Sequence, residues 1–360
     1  MRVVTVIGNR PQFVKAAAVS RLLRAEHEEI LVHTGQHYDD DLSAVFFSEL
    51  GIPRPDRELR LGTGSNAAQL SRMLAALAPL LEETAPDLVL VYGDTNSTLA
   101  GGLAAVQDGL PVAHVEAGMR SFDRRMPEEV NRVLTDHLSS LLLCSSAVAA
   151  ANLAGEGVTS GVEVVGDVMV DVARLVQPRA REDMRPLESA GVRPGEYVLV
   201  TAHRAGNVDD PARLERLVEL LERLPLPAVL PLHPRTRARL EATGLLRRLE
   251  DAPGVVLLGP AGYLDFTALL VNARAILTDS GGVQKEAYLA GVACVTLRDT
   301  TEWVETVEAG WNVLVDLDVA AALAALERRP PAQRPELYGD GHAGERVVAA
   351  LSAAAPATTG

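Results

Sequence analysis

Leu88-Val89-Leu90-Val91-Tyr92-Gly93-Asp94-Thr95-Asn96-Ser97-Thr98 is an unbroken apolar run ending in Gly-Asp-Thr and a cluster of hydroxyls. A strand with one wet face alternates apolar and polar residues. This run does not alternate, as expected of a strand covered on both faces. The hydroxyl-bearing turn behind it suits a helix N-terminus. Outward from this stretch the same pattern recurs along the chain. Candidate strands are Val3–Ile7, Ile30–His33, Leu88–Tyr92, Val112–Val115, Leu141–Cys144, Val162–Val165, Val198–Thr201, Ala228–Leu232, Val255–Leu258, Ala275–Leu277 and Val292–Leu297. Between them Ala67–Glu83, Ala212–Leu221 and Phe266–Asn272 carry apolar residues at helical spacing.

Strand–helix alternation of this kind predicts an α/β protein with parallel sheets covered on both faces. The polar, proline-containing stretch Leu175–Glu196 separates two comparable blocks and is read as a linker. The expectation is two Rossmann-like doubly wound domains with a central cleft, residues 1–175 and 176–341. A last helix at about 342–354 is expected to pack back on the first domain.

Length and composition agree. The chain has 360 residues, enough for two domains, and is 48% hydrophobic, enough for sizeable cores. Its 34 Lys and Arg against 48 Asp and Glu give a net charge of −14. That sign argues against non-specific nucleic-acid binding, but one local basic pocket can still take a small phosphorylated ligand. Cys144 and Cys294 form neither a disulfide framework nor a CxxC knuckle, which points to a reducing compartment. Met1–Gly8 is too short an apolar run for a signal peptide. Leu138–Gly155, though uncharged, is broken by Ser139, Ser140, Ser145, Ser146 and Asn152 and reads as a strand followed by a helix. A cytoplasmic protein without membrane or nucleic-acid partners is expected.

In doubly wound sheets, ligands bind beyond the carboxyl ends of the strands. The unusual polar residues of this chain fall there. Gly8-Asn9-Arg10-Pro11-Gln12-Phe13-Val14-Lys15 follows the first strand and lacks the GxGxxG of a dinucleotide site. Arg10 and Lys15 are candidate anion contacts, or else surface cations flanking a helix. Asp94 is either a carboxylate for chemistry or a helix cap. Glu116, in His114-Val115-Glu116-Ala117-Gly118-Met119-Arg120, is a poor structural choice at the end of a buried strand, which favours function. In Arg124-Arg125-Met126-Pro127-Glu128-Glu129-Val130-Asn131-Arg132 both glutamates also suit a helix N-terminus. His203-Arg204 follows the first strand of the second block, placed for acid–base work or phosphate contact. Thr278-Asp279-Ser280-Gly281-Gly282-Val283-Gln284-Lys285-Glu286 opens a helix whose free N–H groups suit a diphosphate, with Glu286 placed to accept from ribose hydroxyls. Arg298-Asp299-Thr300-Thr301-Glu302 is the last such loop.

Taken in order, GNRPQFVK, GDTNST, HVEAGMRS, MPEEVNR, AHR, TDSGGVQKE and RDTTE resemble the non-hydrolysing UDP-N-acetylglucosamine 2-epimerase family, from Val3 to about Val348, with Tyr338-Gly339-Asp340-Gly341 before the last helix. The resemblance implies a glycosyltransferase-B-like fold, usually homodimeric, with the nucleotide held mainly by the second domain. It implies reversible interconversion of UDP-N-acetylglucosamine and UDP-N-acetylmannosamine, with no NAD, other cofactor or metal. It makes Asp94, Glu116, Glu128 and His203 the catalytic residues. Arg10, Lys15, Arg204, Ser280, Gly281, Gly282, Glu286 and Arg298 then line the UDP-sugar site. The implied route is anti elimination of UDP to a 2-acetamidoglucal and readdition, feeding polysaccharide or aminosugar secondary-metabolite synthesis.

Departures from the family's pattern carry expectations of their own. Asn9 and Gln12 stand where many relatives carry Thr and Glu, which suggests altered sugar contacts. In Gln36-His37-Tyr38-Asp39, Asp39 stands where allosterically regulated members carry Gln, which predicts weak or absent activation by a second UDP-N-acetylglucosamine. Val304 replaces a usual Pro. Ser121-Phe122-Asp123-Arg124-Arg125 resembles a subgroup that includes epimerases of UDP-2,3-diacetamido sugars. The alternatives are therefore such an epimerase, a hydrolysing 2-epimerase, a retaining glycosyltransferase, or a non-catalytic UDP-sugar-binding protein.

Overall fold

The structure, a computed structural model, describes residues 1–35, 53–62 and 64–354. It divides into two compact units, Met1–Arg174 with Glu336–Gly360, and Leu175–Pro335. In the first unit, the strands are β1 (Arg2–Ile7), β2 (Glu28–His33), β3 (Arg57–Glu58), β4 (Leu88–Tyr92), β5 (Val112–Ala117), β6 (Leu141–Cys144) and β7 (Val162–Val164). They form one sheet in the order β3-β2-β1-β4-β5-β6-β7, and every pairing is parallel. The second unit holds β8 (Val198–Thr201), β9 (Ala228–Pro231), β10 (Val255–Leu258), β11 (Ala275–Thr278), β12 (Ala293–Thr296) and β13 (Asn312–Leu314). Their order is β10-β9-β8-β11-β12-β13, again all parallel. Two doubly wound α/β units in one chain is the glycosyltransferase-B-like fold class that the sequence implied.

Burial explains the apolar strands. All five residues of β4 are buried. Val89 and Val91 pack with Val4, Val6 and Val32 under Met73, Leu77 and Leu81 of the helix Asn66–Thr84. The helix Asn96–Gln107 presses against the same strands at Gly101, where a Cβ would lie 3.0 Å from Val91 Cγ1 and 3.1 Å from Val6 Cβ. In the second unit Val198, Val200, Leu230, Leu277 and Val295 pack with Leu214, Leu217 and Leu221 of the helix Pro211–Glu222.

Two elements escape periodicity. Strands β3 and β13 have two and three residues and sit at sheet edges, too short for any pattern to register. The stretch Leu175–Glu196, read as a linker, is instead largely helical. The helix Val168–Glu182 runs through its start, and Arg185–Ala190 forms a second helix. Pro178 has no N–H to give the Arg174 carbonyl, so one rung of that helix is missing where the units divide. The last helix, Ala343–Ala354, belongs to the first unit. Asp171 caps it, accepting from the N–H groups of Ala343 (3.2 Å) and Gly344 (2.9 Å). A Cβ on Gly344 would collide with the Ala18 carbonyl, so glycine is needed for the close approach.

Candidate active site

In the first sheet the winding reverses between β1 and β4, so the loops that follow them run to opposite faces of the sheet and leave a crevice for side chains. Gln12 fastens the two loops there. Its Oε1 accepts from Gly8 N–H (2.7 Å), and its Nε2 donates to the Tyr92 carbonyl (2.8 Å) and Thr98 Oγ1 (2.9 Å). Only 1% of Gln12 is exposed, so the expectation that it tunes sugar contacts is corrected: it holds the site's frame. Asn9 accepts from Gln12 N–H as the N-cap of the helix Arg10–Glu26, a task that Thr also performs.

Asp94 does not cap its helix. Thr95 does so, in a reciprocal capping box with Thr98. The Asp94 carboxylate turns instead to Arg132, 2.8 Å from Nη2 and 3.1 Å from Nε. Arg132 is buried and also pairs with Glu129. Glu129 in turn accepts from Ser121 N–H (2.9 Å), Ser121 Oγ (3.0 Å) and Phe122 N–H (2.9 Å). The two neighbouring glutamates are thereby separated. Glu129 is locked into the framework, whereas Glu128, second residue of the helix Pro127–Leu138, is exposed and has no side-chain partner among the described residues.

Glu116 lies in β5 at φ +72°, where the register with β6 shifts between Val115 and Ala117. A β-bulge with a left-handed residue costs of order 1–3 kcal/mol and re-aims the side chain. Here it directs a buried carboxylate to Lys15 of the helix Arg10–Glu26, with which it forms an ion pair. Gly93, at φ +64°, lies against this pair: a Cβ there would be 3.0 Å from Lys15 Nζ and 3.3 Å from Glu116 Oε2. Asp94, Glu116 and Lys15 thus gather around one glycine turn. The side chain of Arg10 and the segment Gln36–Asp39 lie outside the described residues.

The second sheet reverses between β8 and β11, and the same logic holds. Asp279, directly after β11, is fully buried. Its carboxylate accepts from His203 N–H (3.0 Å), Arg204 N–H (3.0 Å) and the Asn207 amide (3.2 Å), and its Oδ1 lies 3.4 Å from His203 Nδ1. Arg204 is half-buried and its guanidinium has no partner among the described residues. Ser280 is the N-cap of the helix Gly281–Ala290, but its side chain makes no capping bond, leaving the hydroxyl and first-turn N–H groups uncommitted to each other. Gly282 is exposed and Glu286, further along the helix, is half-buried. A Cβ on Gly281 would collide with the Glu302 carboxylate, which Arg298 holds at 2.9 Å. Arg298 is buried, and its Nη2 has no partner among the described residues. Lys285 sits with Nζ 4.3 Å from the Trp303 ring centre, a packing role. Val304 is the first residue of the helix Val304–Glu308, where Pro is equally suited, so the replacement is accommodated.

Arg132 and Asp279 were not singled out in the sequence. Arg132 carried a signal in its i,i+3 spacing from Glu129, and Asp279 in being the first polar residue after a buried strand. Among the described residues, no group of three or more His, Cys, Asp or Glu side chains could hold a metal ion, and no helix is long and apolar enough to cross a membrane.

Acidic, basic and glycine-rich loops at the switch points of two doubly wound units define an enzyme of the glycosyltransferase-B-like class. The family model described as UDP-N-acetylglucosamine 2-epimerase matches residues 21–352, and the chain belongs to that family. A Methanococcus maripaludis protein described as a UDP-N-acetylglucosamine 2-epimerase homolog is 45% identical, covering 98% of this chain and 99% of its own. The UDP-2,3-diacetamido-2,3-dideoxy-D-glucuronate 2-epimerase of Pseudomonas aeruginosa is also 45% identical, with the same coverage of both chains. The crystal structure of the Methanocaldococcus jannaschii UDP-GlcNAc 2-epimerase in complex with UDP-GlcNAc and UDP matches with a TM-score of 0.91 at 39% identity, covering 98% of this chain and 100% of that one.

Proposed function

We propose that this enzyme interconverts UDP-N-acetylglucosamine and UDP-N-acetylmannosamine without hydrolysis. The observation that carries the proposal is the gathering of Asp94, Glu116 and Lys15 around Gly93, in a family of 2-epimerases. The C2 hydrogen of the sugar is not adjacent to a carbonyl, so direct deprotonation is too slow. If the C1–O bond to UDP breaks first, positive charge spreads over C1 and the ring oxygen and acidifies C2–H. Loss of that proton to a carboxylate, anti to the departing UDP, gives 2-acetamidoglucal. Protonation of C2 from the opposite face and return of UDP to C1 complete the inversion.

In this scheme Asp94, Glu116 and Glu128 divide the proton transfers on the two faces of C2. His203, Arg204, Arg298, Arg10 and Lys15, with the N–H groups after Ser280, stabilise charge on the leaving diphosphate. Gly281 and Gly282 let the ligand approach the backbone, and Glu286 accepts from ribose hydroxyls. The enzyme works as a homodimer in the cytoplasm, a placement favoured by two buried free thiols.

A second reading has specific support. The 45% identity to a 2-epimerase of a diacetamido glucuronate makes a UDP-2,3-diacetamido sugar the rival substrate. Arg124 is exposed in the Ser121–Arg125 segment that resembles that subgroup, while Arg125 there pairs with Asp123. Proton NMR in heavy water separates the readings. Deuterium at C2 in a mixture of both UDP-N-acetylhexosamines supports the first. Exchange only with the diacetamido substrate selects the second. Free sugar plus UDP means hydrolysis, and no turnover with either substrate means a binding protein.

A further inference from the structure

His114 lies within β5, wholly buried, and both of its ring nitrogens face oxygen. Nδ1 is 2.7 Å from Asp136 Oδ1, and Nε2 is 2.7 Å from the Gly93 carbonyl. A neutral imidazole donates from one nitrogen and needs a donor at the other. The Gly93 carbonyl cannot donate. Asp136 does not donate either: its other oxygen accepts from Gly118 N–H (3.1 Å) and from the Arg120 guanidinium (Nη1, 2.7 Å), bonds that favour the ionised carboxylate, which has no proton to give. Burial pushes the Asp136 carboxyl upward, but the hydrogen bonds and charges of His114 and Arg120 outweigh it and hold the group below its ordinary value.

We propose that His114 is a positioning residue for the epimerisation, an imidazolium whose two N–H bonds tie the Gly93–Asp94 turn to the Gly118–Arg120 turn through Asp136. The proposal rests on the reading of Asp94 and Glu116 as the proton-transfer groups. Gly93 immediately precedes Asp94, and its N–H donates to the Val115 carbonyl (3.0 Å), next to Glu116. Gly118 lies two residues beyond Glu116. One buried cation therefore fixes the backbone on both sides of the two carboxylates. Removing it leaves the Gly93 carbonyl without a donor and frees the turn to shift.

The charged groups packed around the pair are Arg120, with Glu156 beyond it at 2.7 Å, and Lys15 with Glu116 beside Gly93. Cys144, also close, is pushed up to about 12 by burial and stays a thiol.

The test uses the full-length enzyme labelled with 15N-histidine, read by long-range proton–nitrogen correlation. His114 is expected to show two protonated ring nitrogens, each donating to an oxygen. A single-proton tautomer overturns the proposal. In His114→Gln, kcat should fall about 100-fold while KM for the UDP-sugar stays within about threefold, as expected for misplaced proton-transfer groups. Unchanged kcat overturns it. Should that variant not fold, Asp136→Asn decides the point. Its amide donates to Nδ1, so the ring signal should become a neutral Nε2–H tautomer that keeps the Gly93 bond, and persistence of the wild-type pattern refutes the pairing. Deuterium exchange at C2 by the wild-type enzyme is measured in parallel. Its absence counts against the epimerase reading, while the ring signals still report the protonation.

Discussion

Asp279→Ala removes the single carboxylate that fastens the β8 loop to β11, and its cost follows from the bonds it makes. Asp279 accepts from two backbone N–H groups, those of His203 and Arg204, and from the Asn207 side chain. Because His203 and Arg204 are half-buried, water reaches their vacated N–H groups in part, which puts each lost bond near the low end, about 1 kcal/mol. Three such bonds amount to about 3 kcal/mol. For a unit of this size, each kcal/mol lowers Tm by roughly 2–4 °C, so the second unit should melt roughly 6–12 °C earlier. Asp279→Asn is the control. Its amide oxygen can stand where Oδ2 accepts all three groups, so its melting should stay within about 1 kcal/mol of wild type. Scanning calorimetry resolves a transition of the second unit if the units melt separately, and calorimetric titration with UDP reads the displaced Arg204 and Ser280 as weaker binding. An alanine variant that melts with wild type and binds UDP as tightly would refute the reasoning.

Four other outcomes follow from the same geometry. Gly93→Ala forces a left-handed φ on alanine and sets its Cβ 3.0 Å from Lys15 Nζ, so it should cost about 1–2 kcal/mol of stability, read as a lowered Tm, and depress kcat. Glu128→Gln should leave the melting curve unchanged and abolish C2 exchange, whereas Glu129→Gln should destabilise the fold, because Glu129 alone of the two is buried with Arg132. Burial pushes both Cys144 and Cys294 up to about 12, so neither should react with a thiol reagent at about pH 8 until denaturant is added. Asp136 is held below the ordinary range of an aspartate, so its stabilisation is fully present above that range and is lost as pH falls through the lowered folded value. Asp136→Asn should therefore flatten the acid limb of a Tm-against-pH curve.

Residues next to each other in the sequence differ in what they could announce. Glu116 stood out because a carboxylate among Val115, Ala117 and the rest of a buried strand is expensive unless it serves a purpose, and that cost is visible without coordinates. Glu128 and Glu129 were indistinguishable, since both suit a helix N-terminus. Helical rotation separates them, turning Glu129 inward to Ser121, Phe122 and Arg132 and leaving Glu128 outside. Gln12 was expected to alter sugar contacts because it stands where many relatives carry Glu, and its burial with bonds to Tyr92 and Thr98 came from a long-range approach that no local pattern encodes.

Local order is what the amino-acid sequence of this protein determines unaided. Apolar runs set the strands, helical spacing sets the helices, and their alternation sets two doubly wound units, because burial of apolar surface depends on periodicity within a few residues. Tertiary structure alone decided the partnerships across the sheets: Asp94 with Arg132, Lys15 with Glu116, Asp279 with the His203 turn, and His114 between Gly93 and Asp136. Hydrogen bonds and ion pairs act over about 3 Å, so residues tens of positions apart become partners only after the strands that carry them have been placed side by side.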